Sequence, residues 1–260
     1  MAIYHLSTKI INRSSGRSSV ASAAYRAGED IKNEKDGFTH KYSGRKDVVY
    51  SVVLLPENAP EQWRQRSVLW NAVEQVEKRK DAQTAREVEV ALPVEFSREL
   101  QQEVLKQFCQ DNFVSQGMVA DVNVHDKGDG NPHAHIMLTT RNIENQQFAK
   151  KNREWNDKAR LQAWRENWAV VCNQYLEEQN KIDHRSFEDQ GKEALPQIHE
   201  GYAARKMEEK GLIADRCEIN RNIVATNEAI KALNDQLEEI QIQIESDKRV
   251  IAELQDKKWR

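Results

Sequence analysis

The chain has 260 residues, 38% hydrophobic and 31% charged, with 39 Lys and Arg against 42 Asp and Glu for a formal net charge of −3. That length holds one well-filled core plus an extension, and the polar balance leaves no material for a second large core. No apolar run reaches the roughly 20 residues of a membrane span, the opening MAIYHLSTKI has no apolar signal-peptide stretch, and Cys109, Cys172 and Cys217 are too scattered for a disulfide framework or a Cys-based zinc site, so no membrane insertion and a reducing cytoplasm are expected.

Ala2–Thr8 reads as a first strand, with Ile3 and His5 on one side and Tyr4 and Leu6 on the other. Ile10–Gly16 is a polar loop carrying Arg13. Ser18 or Ser19 then caps a helix running to about Asp30. Its body, VASAAYRAGED, is rich in alanine, which predicts close packing. By itself, Tyr25 on this helix reads as a half-buried core tyrosine. Residues 1–50 carry nine Lys and Arg against five Asp and Glu, a basic surface that suits a phosphate-bearing partner as well as it suits plain solvation.

Lys32–Asp47 is polar and reads as a loop, with His40 and Tyr42 facing solvent. Val48–Leu55 is a buried strand stopped by Pro56. Pro60 opens a helix to about Lys80 with the stripe Trp63, Leu69, Val73 and Val76. Arg86–Leu92 alternates as a strand: Val88, Val90 and Leu92 share one face, and Glu87 and Glu89 share the other. Ser97 caps a helix bearing Leu100, Val104, Leu105 and Phe108.

Two alternating runs follow, Met118–His125 and His133–Thr140, around the turn cluster Asp126–Pro132. Closed as a hairpin, they set His125 across from His133, with His135 two residues on, so three imidazoles share one patch. Such a set holds a divalent metal with positions left open for substrate. Zn²⁺ or Ni²⁺ would also be accepted, since imidazole favours them. Asn142–Asn156 is polar, and a helix from Asp157 carries Leu161, Trp164, Trp168, Cys172 and Tyr175. Asn180–Gly201 is irregular.

From about Arg216 the character changes. Ile219, Ile223, Thr226, Ile230, Leu233, Leu237, Ile240, Ile244, Asp247, Ile251 and Leu254 alternate in steps of four and three, a heptad seam that predicts a long coiled-coil helix seeking a partner. The expected division is therefore a domain over 1–201, a linker over 202–215 and a helical extension over 216–260.

A metal held by three histidines can draw on a phosphate oxygen during an in-line displacement. The attacking group is then a tyrosine, which keeps the bond energy in a phosphotyrosine, or water, which gives a simple nuclease; spacing alone does not choose.

The opening MAIYHLSTKIINRSSGRSSVASAAYRAGE, the segment AREVEVALPVEF, the NPHAHIML hairpin and IDHRSFEDQG together resemble the MobA/MobL family of plasmid mobilization relaxases, within the HUH endonuclease superfamily, over roughly Met1–Gly201. The resemblance implies an α+β fold, an antiparallel, palm-like sheet of about five strands flanked by helices. It implies nicking of one strand at an origin of transfer through a covalent 5′-phosphotyrosyl intermediate that can be rejoined. Tyr25, in SAAYRAG, matches the family's tyrosine; His125, His133 and His135 match its metal ligands, with Mg²⁺ or Mn²⁺ as the working ion. Glu87, six positions before Pro93, matches the supporting carboxylate, with Glu89 the runner-up; its role is to orient a ligand histidine or to take the tyrosine proton.

Implied partners are single-stranded or melted origin DNA, a coupling protein and accessory DNA-binding proteins of the transfer machinery, in a bacterial cytoplasm from which the chain can travel with the strand. Arg13, Arg17, Arg26, Lys150, Lys151 and Arg153 are the candidate backbone contacts. Two other readings stand beside this one: a rolling-circle replication initiator of the same superfamily, and a non-enzymatic DNA-binding accessory protein dimerised by the coiled coil.

Overall fold

The computed structural model describes residues 4–198 and 200–258. The chain to His184 packs as one compact unit, and Arg185 onward packs as a second.

The first unit is built on a five-stranded sheet of β1 (Leu6–Asn12), β4 (Val48–Leu54), β5 (Gln83–Ala91), β6 (Ala120–His125) and β7 (His133–Leu138). The order is β1-β5-β7-β6-β4, with every neighbouring pair antiparallel. The expected sheet of about five strands is thus present. The central β6–β7 hairpin has the expected register, His125 opposite His133 and Val124 opposite Ala134.

Alternation along these strands sorts residues to two faces. Val88, Val90, Val122, Val124, Ala134, Ile136 and Leu138 point to a core closed by α3 (Arg98–Cys109) and α4 (Lys158–Asn173), through Val104, Leu105, Phe108, Trp164 and Trp168. The opposite face is covered by α1 (Ser19–Ala27) and α2 (Arg66–Val76), whose Val20, Ala23, Ala24, Leu69, Trp70 and Val73 pack on Ile11, Ala85, Val119 and Met137. Ser97 caps α3 by accepting from the Leu100 N–H, and Asp157 caps α4 by accepting from the Ala159 N–H. Each fully buried Val, Leu or Ile contributes about 1.5–3 kcal/mol.

Several expectations are corrected. The first strand runs Leu6–Asn12 and not Ala2–Thr8, because Ile10 and Ile11 continue the ladder opposite Arg86 and Ala85; Ala2 and Ile3 lie outside the described residues. The loop expected from Ile10 shrinks to the tight turn Arg13–Ser15, with Asn12 as its cap. Lys32–Asp47 contains part of a short hairpin, β2 (Ile31–Lys32) with β3 (Thr39–His40). Tyr42 is half-buried against the second core and not solvent-facing. Val48–Leu54 is an edge strand whose only buried residue is Val53. Pro60 opens the turn Glu61–Arg64, and the helix proper starts at Arg66. Tyr175 falls beyond α4 and is exposed. The polar stretch after the hairpin holds two strands, β8 (Arg141–Glu144) and β9 (Gln147–Lys151).

The second unit contains α5 (Tyr202–Glu209), inside the stretch expected as a linker, and α6 (Asp215–Lys258). The 44 residues of α6 span ~66 Å at 1.5 Å per residue. Its heptad seam lies in the open: Leu233, Leu237, Ile240, Ile244, Ile251 and Leu254 are all exposed. Near its start the Asn220 side chain accepts from the Ile198 N–H (2.9 Å) and donates to the Ile198 carbonyl (2.8 Å). Asn227 does the same with Leu195 (2.8 and 2.9 Å), clasping an extended segment to the helix. Among the described residues no helix is long and apolar enough to cross a membrane.

Candidate active site

Helix α1 brings two consecutive side chains, Tyr25 and Arg26, to the open part of the sheet face. Ser18 starts the helix, its Oγ accepting from the Ala21 N–H, and Gly28 stops it at φ 65° with its N–H on the Ala24 carbonyl. A Cβ at Gly28 would lie 3.2 Å from Val48 Cγ2, so both the backbone and the space call for glycine. Ala23, Ala24 and Ala27 are buried, which lets the helix lie close to the sheet and leaves Tyr25 outward at 46% exposure. Tyr25 is therefore not the half-buried core tyrosine its helix alone suggests. Its ring meets Tyr42 edge-on at 5.3 Å, and Arg45 Cζ sits 4.0 Å from its centroid. Arg45 also donates to the Tyr25 carbonyl (2.7 Å) and forks onto Asp47. The Arg45 hydrogen bonds outweigh burial and hold Asp47 down to about 2.

Arg26 turns inward. Its Nε and one terminal nitrogen each donate to a Glu87 carboxylate oxygen at 2.6 Å. The same Glu87 Oε1 lies 2.7 Å from His135 Nδ1. Burial opposes the charge on Glu87, but the hydrogen bonds from His135 and Arg26 and the Arg26 charge prevail and bring its pKa to about 2. Glu89, on the same strand face, lies farther from His135, although its carboxylate, that of Glu87 and a His135 nitrogen all fall within 4.8 Å of one another. It pairs with Lys9 at 2.8 Å and comes only to 4.0 Å of His135 Nδ1.

The three imidazoles converge. Ring centroids are 4.7 Å apart for His125–His135, 5.1 Å for His133–His135 and 5.6 Å for His125–His133. Each offers a ligand nitrogen, and these lie within 4.8 Å of one another. His125 Nε2 is 2.7 Å from the Arg26 carbonyl, and His133 Nδ1 is 2.9 Å from the Asn131 carbonyl. A carbonyl only accepts, so those nitrogens carry the protons. The lone pairs are then left on His125 Nδ1, His133 Nε2 and, given the Glu87 contact, His135 Nε2. A ligating histidine that donates its other N–H to a carbonyl or carboxylate is the usual arrangement around a bound metal, and the donor set fits a divalent ion. Burial, with the nearby His135, Arg45 and His133 charges, lowers His125 to about 4 despite the Arg26 carbonyl, which keeps it neutral and able to ligate.

Tyr25, Arg26, Glu87, His135, Arg17 and Lys9 line one cleft of about 440 Å³. The other predicted cations are placed elsewhere or already engaged. All five N–H donors of Arg13 are used, on the Glu74 carboxylate and on the carbonyls of Glu74, Glu77 and Arg79. Lys151 is held by Glu77 and the Gln83 carbonyl. Lys150, on β9, and Arg153, just beyond its end, are exposed and line a separate cleft of about 1000 Å³. Arg45 escaped the sequence reading because its stacking on Tyr25 spans 20 positions and leaves no periodic mark.

The MobA/MobL family pattern matches residues 17–210. A probable mobilization protein MobA of Bifidobacterium longum (strain NCC 2705) is 36% identical over 91% of this chain and 50% of its own length. A conjugal transfer protein TraA of Rhizobium radiobacter is 35% identical over 81% of this chain and 22% of its own length. Among solved structures, a chain from work on the molecular basis of vancomycin resistance transfer in Staphylococcus aureus has a TM-score of 0.63 and 33% identity, covering 74% of this chain and 96% of that one. This chain thus spans half or less of the two curated relatives. The extent of these matches, over the sheet, the tyrosine helix and the histidine hairpin, places the chain in the MobA/MobL family.

Proposed function

We propose that this chain nicks one strand of DNA at a plasmid origin of transfer and so initiates mobilization. The carrying observation is that Tyr25, exposed, opens onto the same cleft as Glu87 and His135, at the edge of three histidines with converging lone pairs. His125, His133 and His135 would hold Mg²⁺ or Mn²⁺, which when bound draws charge from the scissile phosphate oxygens. The Tyr25 oxygen attacks phosphorus and gives up its proton to solvent in the open cleft; the new bond is a 5′-phosphotyrosyl ester, the bond to the 3′ oxygen breaks, and that oxygen takes a proton back from solvent, so the strand leaves with a 3′ hydroxyl. Reversal rejoins the strand without other energy. Glu87 acts by positioning: both its oxygens are engaged and its low pKa makes it a poor proton acceptor, so it fixes the tautomer and angle of His135. Arg45, stacked on Tyr25, restrains the ring that delivers the hydroxyl. The exposed seam of α6 suits contacts with another protein of the transfer machinery.

The test is a gel. A labelled origin strand incubated with the chain and Mn²⁺ yields a covalent protein–DNA adduct, and Tyr25→Phe, which removes only the hydroxyl, binds the strand but forms none. An adduct mapped to another tyrosine would sink the assignment of Tyr25. Cleavage without any adduct would replace transesterification by hydrolysis.

A further inference from the structure

Arg86 is 4% exposed, yet among the described residues it has no counter-charge. Alternation on β5 turns it to the face opposite Glu87, and it pairs in the ladder with Leu138, at the far end of β7 from His133. One terminal nitrogen donates to Asn156 Oδ1 at 2.5 Å; the other, Nη1, is buried without a partner. Its Cζ lies 5.9 and 6.0 Å from the Trp155 and Trp164 ring centroids, whose π faces attract the cation weakly at that range but bring neither a negative charge nor a lone pair. Burial alone shifts this group, lowering its pKa to about 10. Arg66, comparably buried, shows the ordinary solution: Asp121 and Glu29 neutralise it and Ser51 accepts from it. A buried cation left without such partners is costly, which marks Arg86 as a group awaiting an anion.

The space beside it is a cleft of about 430 Å³ bordered by Thr140, Asn152, Arg153 and Asn156. Its two carboxylates are spoken for, Glu77 by Arg141 and Lys151, and Asp81 by Arg79. Arg153 is exposed at the mouth and pairs with no carboxylate among the described residues. We infer that this cleft is a phosphate-binding site centred on Arg86, distinct from the histidine cluster. Two uncompensated guanidinium groups favour a doubly charged phosphate, or two successive phosphodiesters, over a single carboxylate, and the guanidinium fork matches phosphate oxygens in paired hydrogen bonds. The proposed nicking activity bears only on where the phosphate comes from: a DNA backbone, or phosphate free in solution.

Thermal unfolding of the full chain, without metal, tests the site directly. At fixed ionic strength, inorganic phosphate replacing chloride raises the wild-type Tm by roughly 2–4 °C at about five times its Kd. Arg86→Met, which removes an unpaired buried cation, unfolds above wild type in chloride and gains nothing from phosphate. Arg153→Gln, altered only at the mouth, keeps the chloride Tm and needs several-fold more phosphate for the same rise. No phosphate effect on wild type, or an equal rise in Arg86→Met, overturns the site. A second arm measures metal-free binding of a labelled oligonucleotide against salt. If DNA supplies the phosphate, Arg86→Met lowers the slope of log K against log salt by about 1; an unchanged slope with the Tm effect retained assigns the cleft to free phosphate. Neither arm reads strand cleavage, so failure of the nicking proposal and failure of this site are told apart.

Discussion

Replacing Glu87 by Gln keeps the size of a side chain that is 2% exposed and removes its charge. The gap between its ordinary pKa of 4.5 and about 2 corresponds to ~3 kcal/mol of stability at neutral pH. A second route agrees: stranding one partner of a buried ion pair, here Arg26, costs about 3–5 kcal/mol. The folded-state pKa is depressed, so this stabilisation is complete above about 4.5 and is lost as pH falls through about 2. Urea unfolding at pH 7 therefore places Glu87→Gln ~3 kcal/mol below wild type, and the difference shrinks steadily from pH 5 to pH 2. With His135 no longer anchored, divalent-ion affinity measured by calorimetry falls about 10–100-fold. Equal unfolding midpoints at pH 7, or a difference that survives acidification, would refute the account of Glu87 as an ionised anchor.

Removing a proposed ligand outright is harsher: His133→Ala should abolish measurable Mn²⁺ binding with little loss of stability, since His133 is only half-buried, and origin cleavage at full rate in excess chelator would remove the metal from the proposed mechanism. For DNA affinity, Lys150→Gln should lower the salt slope by about 1, whereas Arg13→Gln should leave the slope alone and cost about 3 kcal/mol in unfolding experiments, because Arg13 is spent on Glu74. A chain ending near Lys210 should still cleave an origin oligonucleotide; a truncation that folds normally yet cannot cleave would put α6 inside the catalytic machinery.

The centre of the fold was readable because its signals are local. Strict alternation in Val122–His125 and His133–Leu138, with a turn cluster between, fixes which side chains share a face, and one register brings three histidines together. The β8–β9 hairpin was not readable. Its turn residues Asn145 and Gln146 adopt φ of 48° and 60° without the glycine that usually announces such a turn, and Phe148 is held by stacking on the distant Trp63 at 4.3 Å. The cations divided for a similar reason: composition marks Arg13, Arg17 and Lys150 alike as basic, and only the packing of Glu74 beside Arg13 tells an internal strut from a surface charge. Glu87 and Glu89 were indistinguishable on one strand face until Arg26 and Lys9 arrived from other elements, each choosing one carboxylate.

The asparagine clasp on α6 works like a vernier. Seven helical residues advance ~10.5 Å, and three extended residues advance about 10 Å, so two rulers of different pitch coincide at Asn220 with Ile198 and again at Asn227 with Leu195. The match measures length. Inserting or deleting one residue at Pro196 or Gln197 leaves at most one coincidence, while a change of one whole heptad in the helix beyond Asn227 disturbs neither. Chain length between the two asparagines is therefore fixed by geometry, and α6 is free to differ in reach only beyond that point.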